Sequence, residues 1–213
     1  MSEQFHRALS AIDAAHSQDP TLTTVDNKTI PYELHYAEKM TSYLGSYNPS
    51  ASEALRLAIR AQHLRRWEIP RASYPATKAG YLNWRTFLKN RQADQARQIC
   101  LDAGYSPEEA ERVAALVRKE NLKRGATSTS TTTTTTTTTE GERGLDETQI
   151  LEDVACLVFL DDQFDAFEKG VDEEKMLGIL RKTWSKMSGK GRAMALQIEM
   201  SERCRELVQK ALA

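Results

Sequence analysis

The stretch ILEDVACLVFLDDQF, residues 150–164, decides the fold of this chain. Apolar side chains recur in it every three or four residues, and residues 154–160 form an unbroken apolar run. That spacing is typical of a helix buried in a helical core rather than of a strand. We therefore predict a long helix, capped by Asp146 and continuing through Phe167, as the central element of an all-α fold.

The rest of the chain repeats this helical pattern. Prolines and glycines are few, 6 and 10 in 213 residues, and the recurrent spacing of apolar residues stays at three or four. The predicted helices span about 3–17, 31–47, 50–67, 81–103, 106–123, 146–167, 172–187 and 191–213. The strongest start signal is Ser106-Pro-Glu-Glu109, which combines a capping hydroxyl, a proline in the first position and an acid in the third. The last two helices have the amphipathic pattern of a hairpin.

Residues 127–139 contain only threonine and serine. Such a tract has no large apolar side chain to bury, so it cannot offset the entropy lost on ordering. We predict that residues 1–126 and 140–213 form one helical domain and that residues 127–139 are a disordered linker inserted in it. The length of the chain, 213 residues with 40% apolar side chains, is enough for one substantial core.

The composition excludes several classes of partner. The formal net charge is −1 with 28% charged residues, which argues against nucleic acid as the main partner. The first residues lack a basic segment followed by an apolar one, and no apolar run approaches the roughly 20 residues of a membrane span. We expect a cytoplasmic protein with no membrane partner. Cys100, Cys156 and Cys204 are too widely spaced for a metal knuckle and are expected to be small, buried or half-buried thiols.

Three polar side chains that can bind a metal fall on predicted inward helix faces. Asp153 lies within the apolar stripe of the core helix. Glu120 and His63 each continue the apolar stripe of another predicted helix. Such a coincidence is typical of a site inside a helical bundle. Each residue alone is more often a core histidine bonded to a carbonyl, or an acid paired with an arginine. His35 lies on a tyrosine-rich face and is a weaker candidate.

A second constellation mixes arginine, lysine and aromatic residues between positions 62 and 85. It consists of the stretch Gln62-His63-Leu64-Arg65-Arg66-Trp67-Glu68-Ile69-Pro70-Arg71, followed by Tyr74, Lys78, Tyr81, Trp84 and Arg85. Arginines offer paired donors to phosphate, and aromatic rings offer a flat surface for a base. The same residues also suit a helix corner in which arginine stems pack on tryptophan. The pattern alone leaves both interpretations open.

Two shorter features are more ambiguous. Asp13, His16 and Asp19 have the composition of a metal-ligand set, although Asp19-Pro20 is equally a helix stop. Ser188-Gly-Lys-Gly-Arg192 is basic and rich in glycine, but it lacks the spacing of a phosphate-binding loop, and we interpret it as a turn.

Several segments together resemble an uncharacterised family found in fungi and bacteria. They are AIDAAHSQDP (11–20), PYELHYAEKM (31–40), ASEALRLAIRAQHLRRWEIPRASYP (51–75), GYLNWR (80–85), VRKENLK (117–123) and LEDVACLVFLDDQF (151–164). The resemblance covers residues 5 to about 205 and implies no established activity. Some members carry a glutamyl-tRNA synthetase label, but the chain has neither a HIGH-type nor a KMSKS-type signature.

A more distant resemblance is to the HD-domain metal phosphohydrolases. His35 is similar in position to their first histidine, His63 to the second and Asp153 to the final aspartate. Glu120 falls on the helix where some members place a further ligand. The residue after His63 is Leu64, so the His-Asp doublet that defines this superfamily is missing. The resemblance implies an HD-like helical bundle that holds one divalent metal.

These observations lead to two functional hypotheses. The first is a metal-dependent phosphohydrolase of a small phosphorylated or nucleotide-like substrate. In it His35, His63, Asp153 and Glu120 would hold the metal, and Arg65, Arg71 and Lys119 would neutralise phosphoryl oxygens. The alternative is a non-catalytic helical module that binds an anionic ligand or a protein partner through the arginine and aromatic residues. The C-terminal hairpin also suggests a homodimer.

Overall fold

The computed structural model describes residues 1–120 and 140–213. The chain divides into two compact units, residues 1–120 (unit 1) and residues 121–213 (unit 2), each of which is described by itself. The threonine tract, predicted to be disordered, lies outside the described residues. The prediction of one domain around an insert therefore stays a prediction.

Unit 1 is a group of helices with one small hairpin of strands. Its elements are α1 (Glu3–His16), β1 (Leu22–Val25), β2 (Lys28–Pro31), α2 (Tyr32–Tyr47), α3 (Glu53–Arg60), two 3-10 turns (Arg66–Glu68 and Arg71–Ser73), α4 (Lys78–Asp102) and α5 (Pro107–Val117). The core between these helices consists of fully buried aliphatic residues. They include Ile12, Met40, Leu44, Leu55, Leu57, Ile59 and Leu64. The predicted start of α5 is confirmed, because Ser106 and Glu109 form a reciprocal capping box.

A hairpin of two short strands lies between α1 and α2, where the predicted all-α fold has no strand. β1 and β2 are antiparallel, with Val25 opposite Lys28. The two turn residues, Asp26 and Asn27, have φ of 50° and 62°, the left-handed conformation that the tightest hairpin turns require. Strands of four residues are too short to show a convincing alternation, which is why the pattern did not predict them.

Two helices of unit 1 end earlier than predicted, and two predicted site residues change place as a result. α3 ends at Arg60, so His63 does not continue its inward face but lies in the following turn with φ of 63°. α5 ends at Val117, and Glu120 is exposed rather than part of the inward stripe. The predictions that placed His63 and Glu120 on inward helix faces were therefore wrong.

Unit 2 contains the predicted core helix. Its elements are α6 (Glu140–Val158), a π-helical turn (Phe159–Gln163), α7 (Phe164–Glu168), α8 (Glu173–Lys186), α9 (Gly189–Ala195) and α10 (Glu202–Leu212). α6 begins at Glu140, before the predicted start at Asp146, and the side chain of Asp146 lies outside those that the structure describes, so its capping role stays a prediction. The predicted last helix is divided into α9 and α10. Ser188 is not part of a simple turn but the N-cap of α9, where its hydroxyl accepts from the backbone N–H of Gly191.

The core of unit 2 lies against α6, as the apolar run predicts. Leu151, Leu157 and Phe164 are fully buried, together with Met176 and Leu207 from the following helices. The prediction that all three cysteines are buried is confirmed. None of the described helices has the length and apolar character needed to cross a lipid bilayer. The mostly helical fold class is thus confirmed, whereas the HD-like arrangement stays a prediction.

Candidate anion-binding site

His63 lies at the centre of the candidate site in unit 1. Its ring stacks on Tyr36 with 4.1 Å between ring centroids and an angle of 14°. The Nη1 atom of Arg66 lies 2.8 Å from His63 Nε2. A guanidinium group can only donate, so Nε2 is the acceptor and the proton of the neutral imidazole is on Nδ1. The hydrogen bond therefore assigns both the charge and the tautomer of His63.

The electrostatic environment of His63 favours the same neutral form. Burial holds the pKa of this imidazole well below its usual range, and the positive charges of Arg66, Arg85 and Lys119 lower it further. We call these four residues, His63, Arg66, Arg85 and Lys119, the cationic cluster. Three cations of the cluster thus act on a histidine that stays uncharged at neutral pH.

Arg66 is half-buried and held over an aromatic ring. Its guanidinium carbon lies 4.9 Å from the ring centroid of Trp84, which is a favourable position for a cation. Trp84 is itself fixed, because its indole N–H donates to the carbonyl of Ile69 at 2.9 Å. Burial lowers the pKa of Arg66, and the charge of Arg85 lowers it further. Among the described residues, no carboxylate forms an ion pair with Arg66.

The turn that carries Arg66 also holds an unsatisfied donor. The indole N–H of Trp67, the next residue, is buried and meets no acceptor within the described part of the chain. Buried polar groups in folded proteins are nearly always hydrogen-bonded, so each exception needs an explanation. The indole of Trp67 thus lacks the acceptor that such a donor normally finds, beside an Arg66 guanidinium whose hydrogen-bond acceptor among the described residues, His63, is neutral.

The backbone of this turn is anchored to α1 and α2 by a buried carboxylate. Glu33 is 5% exposed, and its Oε1 accepts from the backbone N–H of Trp67 at 3.0 Å. Its Oε2 lies 3.4 Å from Nδ1 of the fully buried His16. Nε2 of His16 in turn donates to the carbonyl of Arg60 at 2.9 Å, which satisfies a carbonyl at the C-terminal end of α3. Glu33 and His16 therefore fix the position of the turn.

The possible ligand set Asp13, His16 and Asp19 belongs to this same support. Asp13 accepts from Arg60 Nε at 2.6 Å. The carboxylate of Asp19 accepts from the backbone N–H groups of Thr21 and Glu33, at 2.9 and 3.0 Å. These contacts join α1, the hairpin, α2 and α3. The three residues therefore stabilise the fold through hydrogen bonds to other segments of unit 1.

Several predicted ligand-binding residues brace the chain between α3 and α4. Arg65 forms an ion pair with Glu68 at 2.9 Å. Arg71 donates to the carbonyls of Tyr74 and Pro75, both at 2.7 Å. Gln62 is buried and donates to the carbonyl of Ala58. The other predicted residues lie further along this segment and α4: Tyr74 is half-buried, Trp84 is buried, and Lys78, Tyr81 and Arg85 are exposed.

Lys119 enters the cationic cluster through the C-terminal turn of α5. Its φ is 53°, and its backbone N–H bonds to the carbonyl of Leu116 at 2.9 Å. The N–H of Glu120 bonds to the carbonyl of Ala115 at 3.1 Å, which completes the usual left-handed ending of a helix. The side chain of Glu120 contacts Arg118 at 2.6 Å. The charge of Lys119 thus lowers the pKa of His63, whereas the neighbouring Glu120 is exposed.

Asp153, the third predicted metal ligand, is fully buried in unit 2. Its Oδ1 accepts from the backbone N–H of Ser188 at 2.8 Å and from Gln149 Nε2 at 2.9 Å. Its Oδ2 accepts from the hydroxyl of Ser188. The expectation that a buried acid needs partners is confirmed, and the partners hold the start of α9 in place.

The predicted metal ligands are distributed over both units. His35 is half-buried on α2, and His63 and Glu120 also lie in unit 1, whereas Asp153 lies in unit 2. No group of three or more histidine, cysteine or acidic residues suited to a metal occurs within residues 1–120 and 140–213. The predicted divalent metal and its ligand set stay predictions.

Sequence reasoning included Arg66 in the stretch of basic and aromatic residues but did not select it as a candidate site residue. It chose the adjacent Arg65, whose charge is paired with Glu68. The two arginines are neighbours in one basic stretch, and no spacing distinguishes them. The difference arises because Arg65 has φ of 50°, which directs the next residue towards His63 and Trp84. A left-handed residue other than glycine has little sequence signal.

The comparison with known proteins gives one family. The model of a family described as Domain of unknown function (DUF4202) matches residues 6–208, which is nearly the whole chain. No curated protein and no solved structure matches this chain.

Proposed function

The chain belongs to this family of unknown function, and we propose from the geometry of unit 1 that it binds a small phosphate-bearing anion at the cationic cluster. The observation that carries the proposal is the state of Arg66. This half-buried guanidinium donates to a neutral imidazole, lies over Trp84 and has no ion-pair partner among the described residues.

The proposal rests on the cost of a charge that is only weakly compensated: the carboxylate of Glu33 acts on Arg66 without forming an ion pair, and its effect is smaller than that of Arg85. A cation that is partly removed from water loses hydration and regains it only through an opposite charge or strong acceptors. Arg85 makes this worse for Arg66, because two like charges in a partly buried site repel each other. An anion would remove both costs. Phosphate suits the cluster because its oxygens accept several charge-assisted hydrogen bonds, and arginine binds it through paired donors.

The backbone of the cluster supports the same interpretation. His63 and Lys119 both have positive φ, and so does Arg65 beside them. Left-handed backbone is unfavourable for residues with a side chain, and such positions concentrate at binding and catalytic sites. The strained positions of unit 1, apart from the hairpin turn, thus coincide with the place where cations gather.

Binding of inorganic phosphate and pyrophosphate, measured by isothermal titration calorimetry at constant ionic strength, tests the proposal. We expect the full chain to bind one equivalent and an Arg66→Gln variant to lose at least about tenfold in affinity, since a charged hydrogen bond contributes about 1.5–3 kcal/mol. Arg65→Gln is the matched control, because it removes a neighbouring charge that is already paired with Glu68. Its affinity should stay within about twofold of the unaltered chain.

Two results would contradict the proposal. One is the absence of phosphate-dependent heat in the folded protein. The other is an equal loss of affinity in both arginine variants, because that would indicate a diffuse charge effect rather than a site at Arg66. Circular dichroism of each variant shows whether its helices remain intact.

The metal-dependent phosphohydrolase predicted from the sequence would act on the same class of ligand. In the present arrangement the Nε2 lone pair of His63 accepts from Arg66, so a metal at this nitrogen requires that bond to break. Elemental analysis of protein purified without chelator tests the prediction. One equivalent of a divalent metal that is lost in both His63→Ala and Asp153→Ala supports it, and a full equivalent retained in both variants excludes these ligands.

A further inference from the structure

The exposed ring of Tyr81 stands beside the cationic cluster, at the N-terminal end of α4. The ring is 47% exposed, and its centroid lies 6.1 Å from that of Trp84. Trp84 also carries the guanidinium of Arg66, so Tyr81 and Arg66 contact the same indole. Tyr81 therefore offers an open aromatic surface next to an unpaired cation.

Arg85 follows Tyr81 by four residues on α4. Residues four apart lie on the same face of a helix, about one turn or 5.4 Å along its axis. Arg85 is exposed and makes no ion pair or hydrogen bond within the described residues. An aromatic surface and a cation are thus presented side by side on one helix face.

From this arrangement we infer that the ligand of the cluster is a phosphate ester that carries a flat aromatic ring, in the class of the nucleoside monophosphates. Its phosphate binds Arg66 and Arg85, and its ring stacks on Tyr81. This inference rests on the proposed function, because it assigns the second half of the same ligand. In such a ligand the sugar separates the phosphate from the base, just as one turn of α4 separates Arg85 from Tyr81.

The exposed phenol ring of Tyr81 is suited to stacking on such a ring. A phenol ring gives stacking area to any base, because every base has a π face, and the electron-poor edge or face of a heteroaromatic ring complements it. The ring is attached to a helix, so little conformational freedom is lost when a ligand covers it. A sugar phosphate without a base would leave this surface exposed.

The inference predicts a ratio of affinities that can be measured. Isothermal titration calorimetry of the full chain compares adenosine 5′-monophosphate with ribose 5-phosphate, which has the same phosphate and sugar but no base. We expect the nucleotide to bind about tenfold more tightly, as stacking of one base on an aromatic side chain provides. Tyr81→Ala should reduce the ratio to about one, and Tyr81→Phe, which keeps the ring, should preserve it.

The outcomes separate this inference from the proposed function. If both probes bind equally to the unaltered chain, or if Tyr81→Ala keeps the tenfold ratio, the ring assignment is wrong while the phosphate site stands. If ribose 5-phosphate and inorganic phosphate both fail to bind, the proposed function fails and the inference fails with it. Tyr81 is exposed, so its replacement leaves the core intact, and circular dichroism checks this.

Discussion

Replacing Gly191 by alanine tests the packing of α9 against the buried carboxylate of Asp153. A Cβ atom built on Gly191 would lie 2.6 Å from Asp153 Cγ and 2.8 Å from each carboxylate oxygen. Ordinary contacts between nonbonded heavy atoms are near 3.5–4.0 Å. The carboxylate is fully buried and fixed by Ser188 and Gln149, so it cannot turn towards solvent. Either it leaves Ser188, or α9 moves away.

The expected loss of stability follows from what must be broken. Displacing the carboxylate weakens two hydrogen bonds to Ser188, and hydrogen bonds to charged groups contribute about 1.5–3 kcal/mol each. Overpacking of a well-filled interior typically costs about 1–3 kcal/mol. Alanine is about 1 kcal/mol better than glycine within a helix, which offsets part of this. We expect Gly191→Ala to lower the free energy of unfolding of unit 2 by about 2 kcal/mol.

Gly189→Ala is the matched control in the same helix. A Cβ atom at Gly189 would have no neighbour within 4 Å, so this variant should be as stable as the unaltered chain or slightly more stable. Hydrogen exchange with mass spectrometry along a urea gradient reports on α6 and α9 separately from unit 1. Equal stability of the two variants, or a gain in Gly191→Ala, would refute the assigned contact between α9 and Asp153.

Three further predictions concern unit 1. The pKa of His63 is lowered in the folded chain, so the unfolded chain takes up a proton first as the pH falls, and the free energy of unfolding should decrease below about pH 6.5. His63→Gln should reduce this pH dependence, which urea titrations at several pH values measure. Glu33→Gln should lower the free energy of unfolding of unit 1 by about 1–3 kcal/mol, and the backbone amide of Trp67 should then exchange its hydrogen faster. An unchanged exchange rate would show that the carboxylate does not anchor the turn. Ser106→Ala should cost about 1 kcal/mol through loss of the cap of α5, measured by thermal unfolding, whereas an unchanged midpoint would contradict the capping role.

The parts of the fold that sequence could predict are those governed by local periodicity and capping. The apolar run of α6 predicted a core helix, and the buried Leu151, Leu157 and Phe164 confirm it. Ser106 predicted the start of α5, because the capping box is a reciprocal pair of bonds between residues three apart. Both signals are contained within one or two helical turns, so no tertiary information is needed.

The positions of His63 and Glu120 could not be predicted, because they depend on where a helix stops. Neither glycine nor proline directly follows Arg60 or Val117 in the sequence. The helical spacing of apolar residues therefore continues past both positions, and the sequence pattern does not indicate that the helix ends there. In the structure, a bond from His16 to the carbonyl of Arg60 helps to end α3, and this partner is 44 residues distant. This helix end depends on a tertiary contact, so a pattern of neighbouring residues cannot predict it.

The cationic cluster opposes the stability of unit 1 in two independent ways at the same place. A helix ending such as that of α5 is most stable with glycine at the left-handed position, yet that position holds Lys119. A turn such as that after α3 would likewise be relieved by glycine, yet His63 occupies it with three cations acting on it. Neither the strained backbone nor the like charges stabilise the fold. The proposed anion would remove the repulsion and would make use of the side chains that the strained positions carry, so the proposal would account for both features together.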